Sequence, residues 1–328
     1  MYYFYFDSGT TNTRAYLIHD KQITQKADLA VGSRNCSLNH SNQILKDSLL
    51  KLYHQLLEQE GIQDCDIASV FISGMVSSPS GLIEIEHLST PVDLSKLKTH
   101  LVKYSMEEFG DREIFIIPGI KTLPQGQIAS IETIALANNM RGEEIEIFGI
   151  LHRHPELGKG HSCIVLPGSH TQVAFLTDGK IVDISSNVTG ELYHSIVNHT
   201  IFGSSVCSQE KDSILPDMVC MGYRMLRQYG FNRALYIVRT MELFSDSTLT
   251  QRRSYLEGVI NGGIIDVIVQ MIQDPSTTIA VAGPYQQYQI YSSIIKQYFP
   301  EFCIVEIPVI KNFPYTVEGL LNFIEIKD

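Results

Sequence analysis

Two short polar turns combine a glycine with hydroxyl side chains, the residue types that let backbone N–H groups approach a phosphate. In the first turn, Asp7 precedes Gly9 and the three polar residues Thr10, Thr11 and Asn12. An acid at the end of a strand can hold a hydrated Mg²⁺ beside such a phosphate. An ordinary β-hairpin with a polar turn would show the same pattern, so this segment by itself leaves both interpretations open.

A second turn of the same kind lies in the other half of the chain. It runs through four consecutive residues: Gly168, Ser169, His170 and Thr171. When Gly168 is aligned with Gly9, a constant offset in numbering pairs further positions of the two hairpins: Thr10 with Ser169, Ala15 with Ala174, Tyr16 with Phe175, Leu17 with Leu176, and Lys21 with Lys180. The repeat predicts a duplicated domain with two facing phosphate loops.

A third glycine, Gly283, follows a short apolar strand at residues 279–282 and precedes a helical pattern at 286–299. A glycine turn between a strand and a helix is a common place for a nucleotide to lie against the backbone. We therefore expect Gly283 to contact a nucleotide.

A run of acids follows Arg141 after one glycine and opens a predicted helix that continues to Leu151. The acids in its first turns are Glu143, Glu144 and Glu146. The helix dipole alone favours acids at this end of a helix. Their position between the two polar turns leaves a role in chemistry open as well.

Apolar periodicity predicts the elements that must position these residues. In the first half it predicts a buried hairpin at 2–18, a strand at 22–29, a loop at 32–35, a helix capped by Ser41 that ends at Glu60, and buried strands at 70–72 and 114–117. In the second half it predicts a hairpin at 163–180, a strand at 180–185, a helix capped by Thr189, and helices at 218–229, 252–272 and 318–326.

The composition is that of a globular protein: 328 residues, 44% hydrophobic and 19% charged, which is enough for two domains of moderate size. A formal net charge of -11 argues against a nucleic-acid or anionic-membrane surface, since both favour basic patches. No signal peptide or transmembrane run is recognisable.

Cysteines without CxxC spacing indicate free thiols in a cytoplasmic protein. His152, His154 and His161 surround a stretch that predicts a solvated linker rather than a zinc site.

The order of these features, two hairpins and then a strand, a glycine and a helix, resembles the actin-like ATPase superfamily. Within it, the chain is similar to the 2-dehydro-3-deoxygalactonokinase family. Seven segments carry the similarity in the family's order: residues 7–15, 74–76, 117–119, 140–144, 166–170, 189–192 and 281–283. The chain departs from the family at Gln172 and Val173, where a basic residue and a tryptophan are expected.

The resemblance implies an α/β fold, namely a duplicated actin-like ATPase (ribonuclease H-like) two-lobe fold with an ATP cleft between the lobes. The N-terminal lobe is expected at residues 1–157, with the sugar-acid site and the first phosphate loop. The C-terminal lobe is expected at residues 158–328, with the second phosphate loop and the adenosine site. The last helix is expected to cross back to the first lobe.

The resemblance also implies a sugar-acid kinase that uses ATP and Mg²⁺. The reaction is phosphorylation of the terminal hydroxyl of 2-dehydro-3-deoxygalactonate, giving 2-dehydro-3-deoxy-6-phosphogalactonate and ADP in galactonate catabolism. The implied catalytic residues are Asp7, which is also the metal ligand, Arg141, and Glu143 or Glu144 as the base. The implied cofactor-binding residues are Gly9, Thr10, Thr11, Asn12, Gly168, Ser169, His170, Thr171 and Gly283. The implied substrate-binding residues are Arg14, Arg34, Gly74, Met75, Thr189 and Glu191.

One of Arg14, Arg34 and Arg141 is expected to pair with the substrate carboxylate, because a planar guanidinium suits a bidentate grip. Two alternatives keep the same fold: a non-catalytic sensor of sugar acid or nucleotide, and a kinase of a related sugar acid. The presence of Asp7 and of the Glu143–Glu144 pair argues against the sensor, and a chaperone-like ATPase would need a separate peptide-binding domain. The expected partners are a small sugar acid and ATP, without nucleic acid or membrane, and a homodimer is the default oligomer.

Overall fold

The computed structural model describes residues 1–109, 112–206 and 213–325, apart from the side chains of Glu108 and Glu325. The chain forms two compact units. The first unit comprises residues 1–156, 179–184 and the segment from Ile310 onward, and the second comprises residues 157–178 and 185–309. Among the described helices, none is both long and apolar enough to cross a membrane.

The strands up to residue 156 are β1 (Tyr2–Ser8), β2 (Thr13–His19), β3 (Gln22–Leu29), β4 (Ile67–Gly74), β5 (Leu88–Ser89), β6 (Val102–Tyr104), β7 (Ile114–Ile116), β8 (Ile120–Lys121) and β9 (Asn139–Met140). The helices in the same part of the chain are α1 (Ser33–Asn39), α2 (Gln43–Glu60), α3 (Leu94–Thr99) and α4 (Glu143–Arg153).

The later strands are β10 (His161–Leu166), β11 (His170–Thr177), β12 (Lys180–Val188), β13 (Thr278–Gly283) and β14 (Cys303–Pro308). The later helices are α5 (Gly190–His199), α6 (Gly203–Val206), α7 (Pro216–Tyr229), α8 (Phe231–Phe244), α9 (Leu249–Met271), α10 (Tyr285–Tyr298) and α11 (Tyr315–Glu325).

The main sheet of the first unit has the strand order β3-β2-β1-β4-β7-β6. β1 pairs antiparallel with β2, which places Asp7 opposite Arg14. β1 also pairs parallel with β4, which places Ser8 opposite Gly74. The carboxyl ends of β1 and β4 therefore meet at one edge of the sheet, where α/β proteins commonly place ligands.

Helix α2 covers one face of this sheet with a stripe of apolar side chains spaced three or four residues apart. Leu49, Leu52 and Leu56 of this stripe share a buried cluster with Phe4 and Phe6 of β1. Burying a side chain of this size contributes about 1.5–3 kcal/mol, so the cluster fixes β1 and thereby the turn that follows it. The predicted end of this helix at Glu60 is confirmed.

Helices α4 and α11 both belong to the first unit and cross at two glycines. A Cβ atom added at Gly149 would lie 1.9 Å from the carbonyl oxygen of Tyr315, and one at Gly319 would lie 2.0 Å from that of Ile145. Only glycine allows the two backbones to approach this closely. The crossing anchors α11 directly against the helix that carries the acids.

The sheet of the second unit has the strand order β12-β11-β10-β13-β14. Only the part of β12 from Ser185 onward belongs to this unit. Helices α7 and α9 pack together through glycines: a Cβ atom at Gly258 would lie 2.0 Å from the carbonyl oxygen of Val219, and one at Gly222 would lie 2.1 Å from that of Tyr255. The contacts of Gly258 are those of helix packing.

The two hairpins match closely, but the constant offset between them is wrong beyond the turn. Tyr2 pairs with His19 in the first hairpin, and His161 pairs with Thr177 in the second. When Tyr2 is aligned with His161, His19 therefore corresponds to Thr177, whereas the constant offset would align it with Asp178. The first turn occupies positions 9–12 and the second only 167–169, so the second turn is shorter by one position.

The turn after the second strand of each hairpin also agrees with a numbering offset that is shorter by one residue. Asp20 and Lys21 have positive φ angles of 47° and 62°, and Asp178 and Gly179 have 49° and 74°. This conformation is that of a two-residue hairpin turn, in which both central residues have positive φ. Lys21 therefore corresponds to Gly179 and not to Lys180.

Residues 32–35 do not form the predicted loop. Helix α1 begins at Ser33, and the side chain of Asn35 accepts a hydrogen bond from the Gly32 N–H at 3.0 Å. The sequence pattern does not predict helix α8, and α11 begins at Tyr315, ahead of its predicted start at Glu318. The predicted end of α11 at Ile326 lies outside the described residues.

The prediction of a solvated linker around His152, His154 and His161 is also wrong for His152. His152 lies in α4, and its Nδ1 lies 2.6 Å from Oε1 of Glu318 in α11. The same carboxylate accepts a hydrogen bond from Arg153 at 2.8 Å and is almost fully buried. Glu318 therefore ties the end of α4 to α11.

Candidate active site

Asp7 lies near the carboxyl end of β1 with its side chain 17% exposed. Its Oδ2 accepts a hydrogen bond from Nη1 of Arg14 at 3.1 Å, and Arg14 itself is half exposed. Burial raises the pKa of Asp7, and the charge of Arg14 opposes that rise. The carboxylate is thus partly accessible and pairs with one cation.

A row of close backbone contacts joins the ends of β1 and β4 to the start of α4. A Cβ atom at Gly74 would lie 2.4 Å from the carbonyl oxygen of Ser8, and one at Gly142 would lie 3.2 Å from Cα of Gly74. Both glycines have positive φ, 88° and 108°. Glycine is required at these positions, and the row brings the first turn of α4 next to Asp7.

Three acids in the first turns of α4 share this region. Burial raises the pKa of Glu143 to about 7, and the nearby carboxylate of Asp7 adds to the rise. Burial also raises the pKa of Glu146 to about 7, followed in size by the charges of Asp7 and Glu143. Glu143 and Glu146 are three residues apart, so they lie on one face of the helix, and the charge of Asp7 acts on both. Glu146 is an addition to the residues expected from the sequence, although its spacing from Glu143 could have identified it.

Glu144 has a different environment. Its side chain is completely buried, and both of its carboxylate oxygens accept the N–H of Gly142, at 2.9 Å and 2.8 Å. Burial and the neighbouring Glu143 raise its pKa to about 8. Its hydrogen bonds are directed at the backbone of its own helix start.

Arg141 is engaged with the segment that follows Gly74 and Met75. Its Nη1 donates to the carbonyl oxygen and the hydroxyl of Ser77, at 2.5 Å and 2.6 Å, and its Nη2 donates to the carbonyl oxygen of Ile85 at 2.9 Å. Burial and the charge of Arg141 lower the pKa of His87 to about 4, which leaves a neutral ring nitrogen to face Nη2 at 3.3 Å.

The first polar turn rests on the start of α1. The carbonyl oxygens of Gly9 and Thr10 accept the N–H groups of Ser33 and Arg34, at 3.2 Å and 3.0 Å. A Cβ atom at Gly32 would lie 2.4 Å from the Gly9 oxygen. Thr10, Thr11 and Asn12 are exposed. The carbonyl groups of the turn are therefore held by the start of α1, while residues 10–12 remain exposed to solvent, as a phosphate-binding turn requires.

The second polar turn rests on the start of α5 in the same way. The carbonyl oxygens of Gly168 and Ser169 accept the N–H groups of Gly190 and Glu191, at 3.2 Å and 3.0 Å. A Cβ atom at Gly190 would lie 2.5 Å from the Gly168 oxygen. Gly190 corresponds to Gly32 at the same shorter offset, so the duplication extends to the helix that supports each turn.

Thr189 is the residue before α5, as predicted, but its hydroxyl does not cap that helix. It donates instead to the carbonyl oxygen of Gly168 at 3.3 Å and lies 2.8 Å from the hydroxyl of Thr171. His170 is exposed, with Nε2 at 3.3 Å from Oε2 of Glu191. Thr189 therefore supports the second polar turn.

Comparison with known proteins decides the family. A family model described as 2-keto-3-deoxy-galactonokinase matches residues 7–307. The chain belongs to this family. The match runs from Asp7, through both polar turns and the acids of α4, to the last strand of the second unit.

Individual relatives of the 2-keto-3-deoxy-galactonokinase family agree at low identity. The 2-dehydro-3-deoxygalactonokinase of Escherichia coli (strain K12) is 24% identical over 282 residues, which cover 86% of this chain and 85% of that protein. "Probable 2-dehydro-3-deoxygalactonokinase DgoK1" of Rhizobium meliloti (strain 1021) is 25% identical over 197 residues, and the match spans only 59% of its length and 59% of this chain.

Two solved structures show the fold. A crystal structure from Sinorhizobium meliloti, assigned by its name to the 2-dehydro-3-deoxygalactonokinases, matches with a TM-score of 0.74 and 20% identity over 99% of both chains. Acetate kinase from Entamoeba histolytica matches with a TM-score of 0.50 and 11% identity over 98% of both chains. The predicted actin-like α/β fold class is confirmed.

The departures from the family pattern at Gln172 and Val173 are buried. The Oε1 atom of Gln172 accepts a hydrogen bond from the hydroxyl of Ser186 at 2.8 Å, and Val173 lies in the core of the second unit. Neither side chain is positioned to replace a basic residue at the second polar turn.

A pocket of about 220 Å³ lies in the second unit beside the second polar turn. Its wall includes Gly168, Thr189, Glu257, Asn261 and Pro284, the residue after Gly283. The sequence analysis missed Glu257, although an acid inside a largely apolar helix is unusual and could have drawn attention to it.

The residues present suit a metal that arrives with phosphate rather than one caged by protein. Among the described residues, no group of three or more His, Cys, Asp or Glu side chains could hold a metal ion. Mg²⁺ in phosphoryl-transfer sites is bound by one or two carboxylates together with phosphate oxygens and water. Asp7, with one oxygen paired to Arg14, fits that limited role.

Proposed function

We propose that this protein transfers the γ-phosphoryl group of ATP to the terminal hydroxyl of 2-dehydro-3-deoxygalactonate. The products are 2-dehydro-3-deoxy-6-phosphogalactonate and ADP. Membership of the 2-keto-3-deoxy-galactonokinase family supports the substrate class. The observation that carries the reaction type is the position of Asp7 and Glu143 beside the first polar turn.

Glu143 is the general base in this proposal. Its pKa of about 7 suits proton transfer at neutral pH, and Asp7 lies close enough for its charge to raise that pKa. Glu144 is completely buried and directs both oxygens at Gly142. Its part is to fix the start of α4, and so the orientation of Glu143.

The bond changes are simple and balance. The acceptor hydroxyl oxygen forms a bond to the γ-phosphorus as its proton moves to the carboxylate of Glu143, and the bond from the γ-phosphorus to the β,γ-bridging oxygen breaks to release ADP. Asp7 is the carboxylate that would hold a Mg²⁺ ion arriving with ATP, and the ion would supply neutralisation of the charge on the phosphate oxygens.

Each polar turn is suited to bind phosphate oxygens through its backbone N–H groups. Both are held from behind by a helix start, which fixes their geometry before the ligand binds. The side-chain hydroxyls of Thr10 and Thr11 are exposed and available to phosphate oxygens. Gly283, with a φ of 147°, lets the chain turn from β13 into α10 at the pocket wall.

Among the three arginines proposed for the substrate carboxylate, Arg34 suits the role best. The guanidinium of Arg141 is bonded to Ser77 and Ile85, and that of Arg14 is bonded to Asp7. Arg34 is exposed at the start of α1, and its backbone N–H, not its side chain, supports the first turn. Arg141 is a positioning residue that holds residues 77–87 near Gly74 and Met75.

An ADP-release assay with Mg·ATP and a panel of sugar acids tests the proposal. The panel contains 2-dehydro-3-deoxygalactonate, its gluconate epimer and plain aldoses. We expect turnover on a 2-dehydro-3-deoxy acid and none on aldoses. Turnover only on the gluconate epimer would correct the substrate, and ATP binding without turnover on any compound would replace the kinase with a non-catalytic binding protein.

A further inference from the structure

One loop of the first unit exposes a group of large apolar side chains. The loop comprises residues 122–138 and joins β8 to β9. Four of its side chains are more than half exposed: Ile128 at 95%, Ile131 at 93%, Ile134 at 58% and Leu136 at 71%. Among the described residues, Ile128 and Ile131 are the most exposed large apolar side chains. These four side chains are called the loop patch below.

The loop is held together by its own hydrogen bonds. At its base, the N–H of Thr122 donates to the carbonyl oxygen of Asn138 at 3.0 Å, and the hydroxyl of Thr122 donates to that of Leu136 at 2.6 Å. Within it, the N–H of Ala137 donates to the carbonyl oxygen of Ile134 at 3.0 Å. The backbone is therefore satisfied locally, while the apolar side chains of the loop patch point to solvent.

The area of the loop patch is that of an interaction site. Burying four side chains of this size would remove roughly 250–500 Å² of apolar surface from water in each chain. Contiguous apolar patches of a few hundred Å² on a soluble protein commonly mark the place where a partner binds. The loop patch therefore calls for a partner that covers it.

Charge favours a second copy of this chain as that partner. Residues 122–138 contain one charged side chain, Glu132, and no lysine or arginine. The whole chain has a formal net charge of -11, so two copies repel each other least where their surfaces lack charge. A membrane surface is disfavoured, because segments that lie on membranes combine apolar residues with lysine or arginine.

The size of the loop patch also suits a symmetric dimer. When two copies meet around a twofold axis, the same patch is covered on both. The two patches together would bury roughly 500–1,000 Å² of apolar surface. Stable interfaces bury about 1,200–2,000 Å² in total, and the cores of homodimer interfaces are about 65% apolar. The four side chains thus supply apolar area of the order that a small stable interface requires.

We infer that two copies of this chain associate through residues 122–138, with the loop patch of one copy packed against the loop patch of the other. The inference concerns association and does not depend on the proposed function. It assigns a specific surface to the homodimer that symmetry alone makes the default oligomer.

Sedimentation velocity of the purified full chain over a wide range of concentrations tests the inference. The wild type should pass from monomer to dimer as its concentration rises. Ile131→Asp changes an almost fully exposed side chain, so it should leave the fold of each chain intact. Because it places one negative charge from each copy in the apolar interface, it should raise the dissociation constant of the dimer at least about thirtyfold.

Phe244→Asp is the matched control, because it makes the same kind of change at an exposed apolar side chain of α8, in the second unit. This variant should dimerise like the wild type. Ile128→Ser, which adds no charge, should weaken the dimer by an intermediate amount and guards against a folding defect in Ile131→Asp. Dissociation caused by Phe244→Asp and not by Ile131→Asp would place the interface on α8 and overturn the inference.

Hydrogen exchange locates the contact. The amides of residues 122–138 should exchange more slowly in the wild-type dimer than in Ile131→Asp at the same protein concentration. A wild type that stays monomeric at every concentration would overturn the inference, and so would a dimer that folded Ile131→Asp and Ile128→Ser leave intact. Equally slow exchange of the loop in monomer and dimer would also overturn it, because the loop patch would then be covered within one chain.

Discussion

The backbone N–H of Gly142 donates to both carboxylate oxygens of Glu144, at 2.9 Å and 2.8 Å. This bond locks the first turn of α4 onto a completely buried acid. The adjacent Glu143 accepts the N–H of Arg141 at 3.2 Å with one oxygen, and the charge of Asp7 raises the pKa of both Glu143 and Glu146. Two neighbouring glutamates, which the sequence could not separate, thus have different environments and different expected roles.

Replacement of Asp7 by Asn should abolish turnover and leave the fold intact. The loss of the metal contact is expected to lower kcat by at least about a hundredfold, since stabilisation of transferred charge accounts for most of catalysis in such sites. The stability change should stay below about 1 kcal/mol, because burial of the Asp7 charge opposes the gain from its pair with the half-exposed Arg14. Steady-state kinetics and urea unfolding measure both. Asp47→Asn, an exposed acid on α2, is the control, and near-normal turnover in Asp7→Asn would remove Asp7 from the site.

The rate should rise with pH through the titration of Glu143. A general base works only when unprotonated, so kcat/KM should increase up to about pH 7 and then level off. Glu146→Gln removes a nearby negative charge and should move the midpoint to lower pH, since less repulsion favours ionisation. A pH–rate profile of both proteins provides the check. A midpoint that does not move would show that the two acids are not coupled.

Glu144→Gln should flatten the dependence of stability on pH. The pKa of Glu144 is about 8 in the folded protein and ordinarily 4.5, so its contribution to stability is complete below pH 4.5 and is lost as pH rises toward 8. The wild type should therefore lose roughly 1.4 kcal/mol per pH unit from this group between pH 5 and 8. Unfolding in urea at both pH values measures the loss. An equal loss in the glutamine variant would assign it to other groups.

Arg141 should act through the loop that it holds. Arg141→Lys cannot reproduce the bonds to Ser77 and Ile85, which should weaken the protein by about 1–3 kcal/mol because buried carbonyl groups lose their donors. We expect KM for the sugar acid to rise more than kcat falls, with the affinity for ATP unchanged. Initial-rate kinetics over both substrates distinguish this result from a direct catalytic role, in which kcat would fall at constant KM.

The glycine crossing of α4 and α11 should tolerate no side chain. A Cβ atom at Gly149 would lie 1.9 Å from the Tyr315 oxygen, so Gly149→Ala must push the helices apart and should cost at least about 3 kcal/mol. Gly263→Ala in α9 has no atom within 4 Å of the new Cβ and should instead stabilise by up to about 1 kcal/mol. Thermal unfolding of both variants measures the contrast. Equal effects would mean that the crossing is looser than the contacts indicate.

The sequence predicts the elements with strong periodicity. Helix α2 and the hairpins are recognisable because their apolar residues recur at the spacing of one buried face. The one-residue shift of β11 relative to β2 cannot be recognised from the sequence. Ala15, Leu17 and their neighbours are buried on both faces of the sheet, and such strands have no alternating pattern that would fix the register.

Other features depend on contacts distant in sequence. The local pattern places Gly32 in a loop because nothing nearby shows that the Gly9 oxygen lies against it. The hydroxyl of Thr189 is expected from the sequence to cap α5, but the Gly168 carbonyl and Thr171 compete for it successfully. Glu257 is noticeable in the sequence as an acid in a largely apolar helix, but its position beside the second polar turn depends on where α9 packs.

The most direct test follows the transferred group itself. Protein, Mg²⁺ and γ-³²P-labelled ATP are incubated with 2-dehydro-3-deoxygalactonate, and the labelled product is identified by mass and chromatography. We predict label on the terminal oxygen of the sugar acid with the wild type and with Glu58→Gln, an exposed acid on α2, and a loss of about a hundredfold or more with Glu143→Gln. Folded wild-type protein that binds ATP and leaves the sugar acid unlabelled would contradict the account.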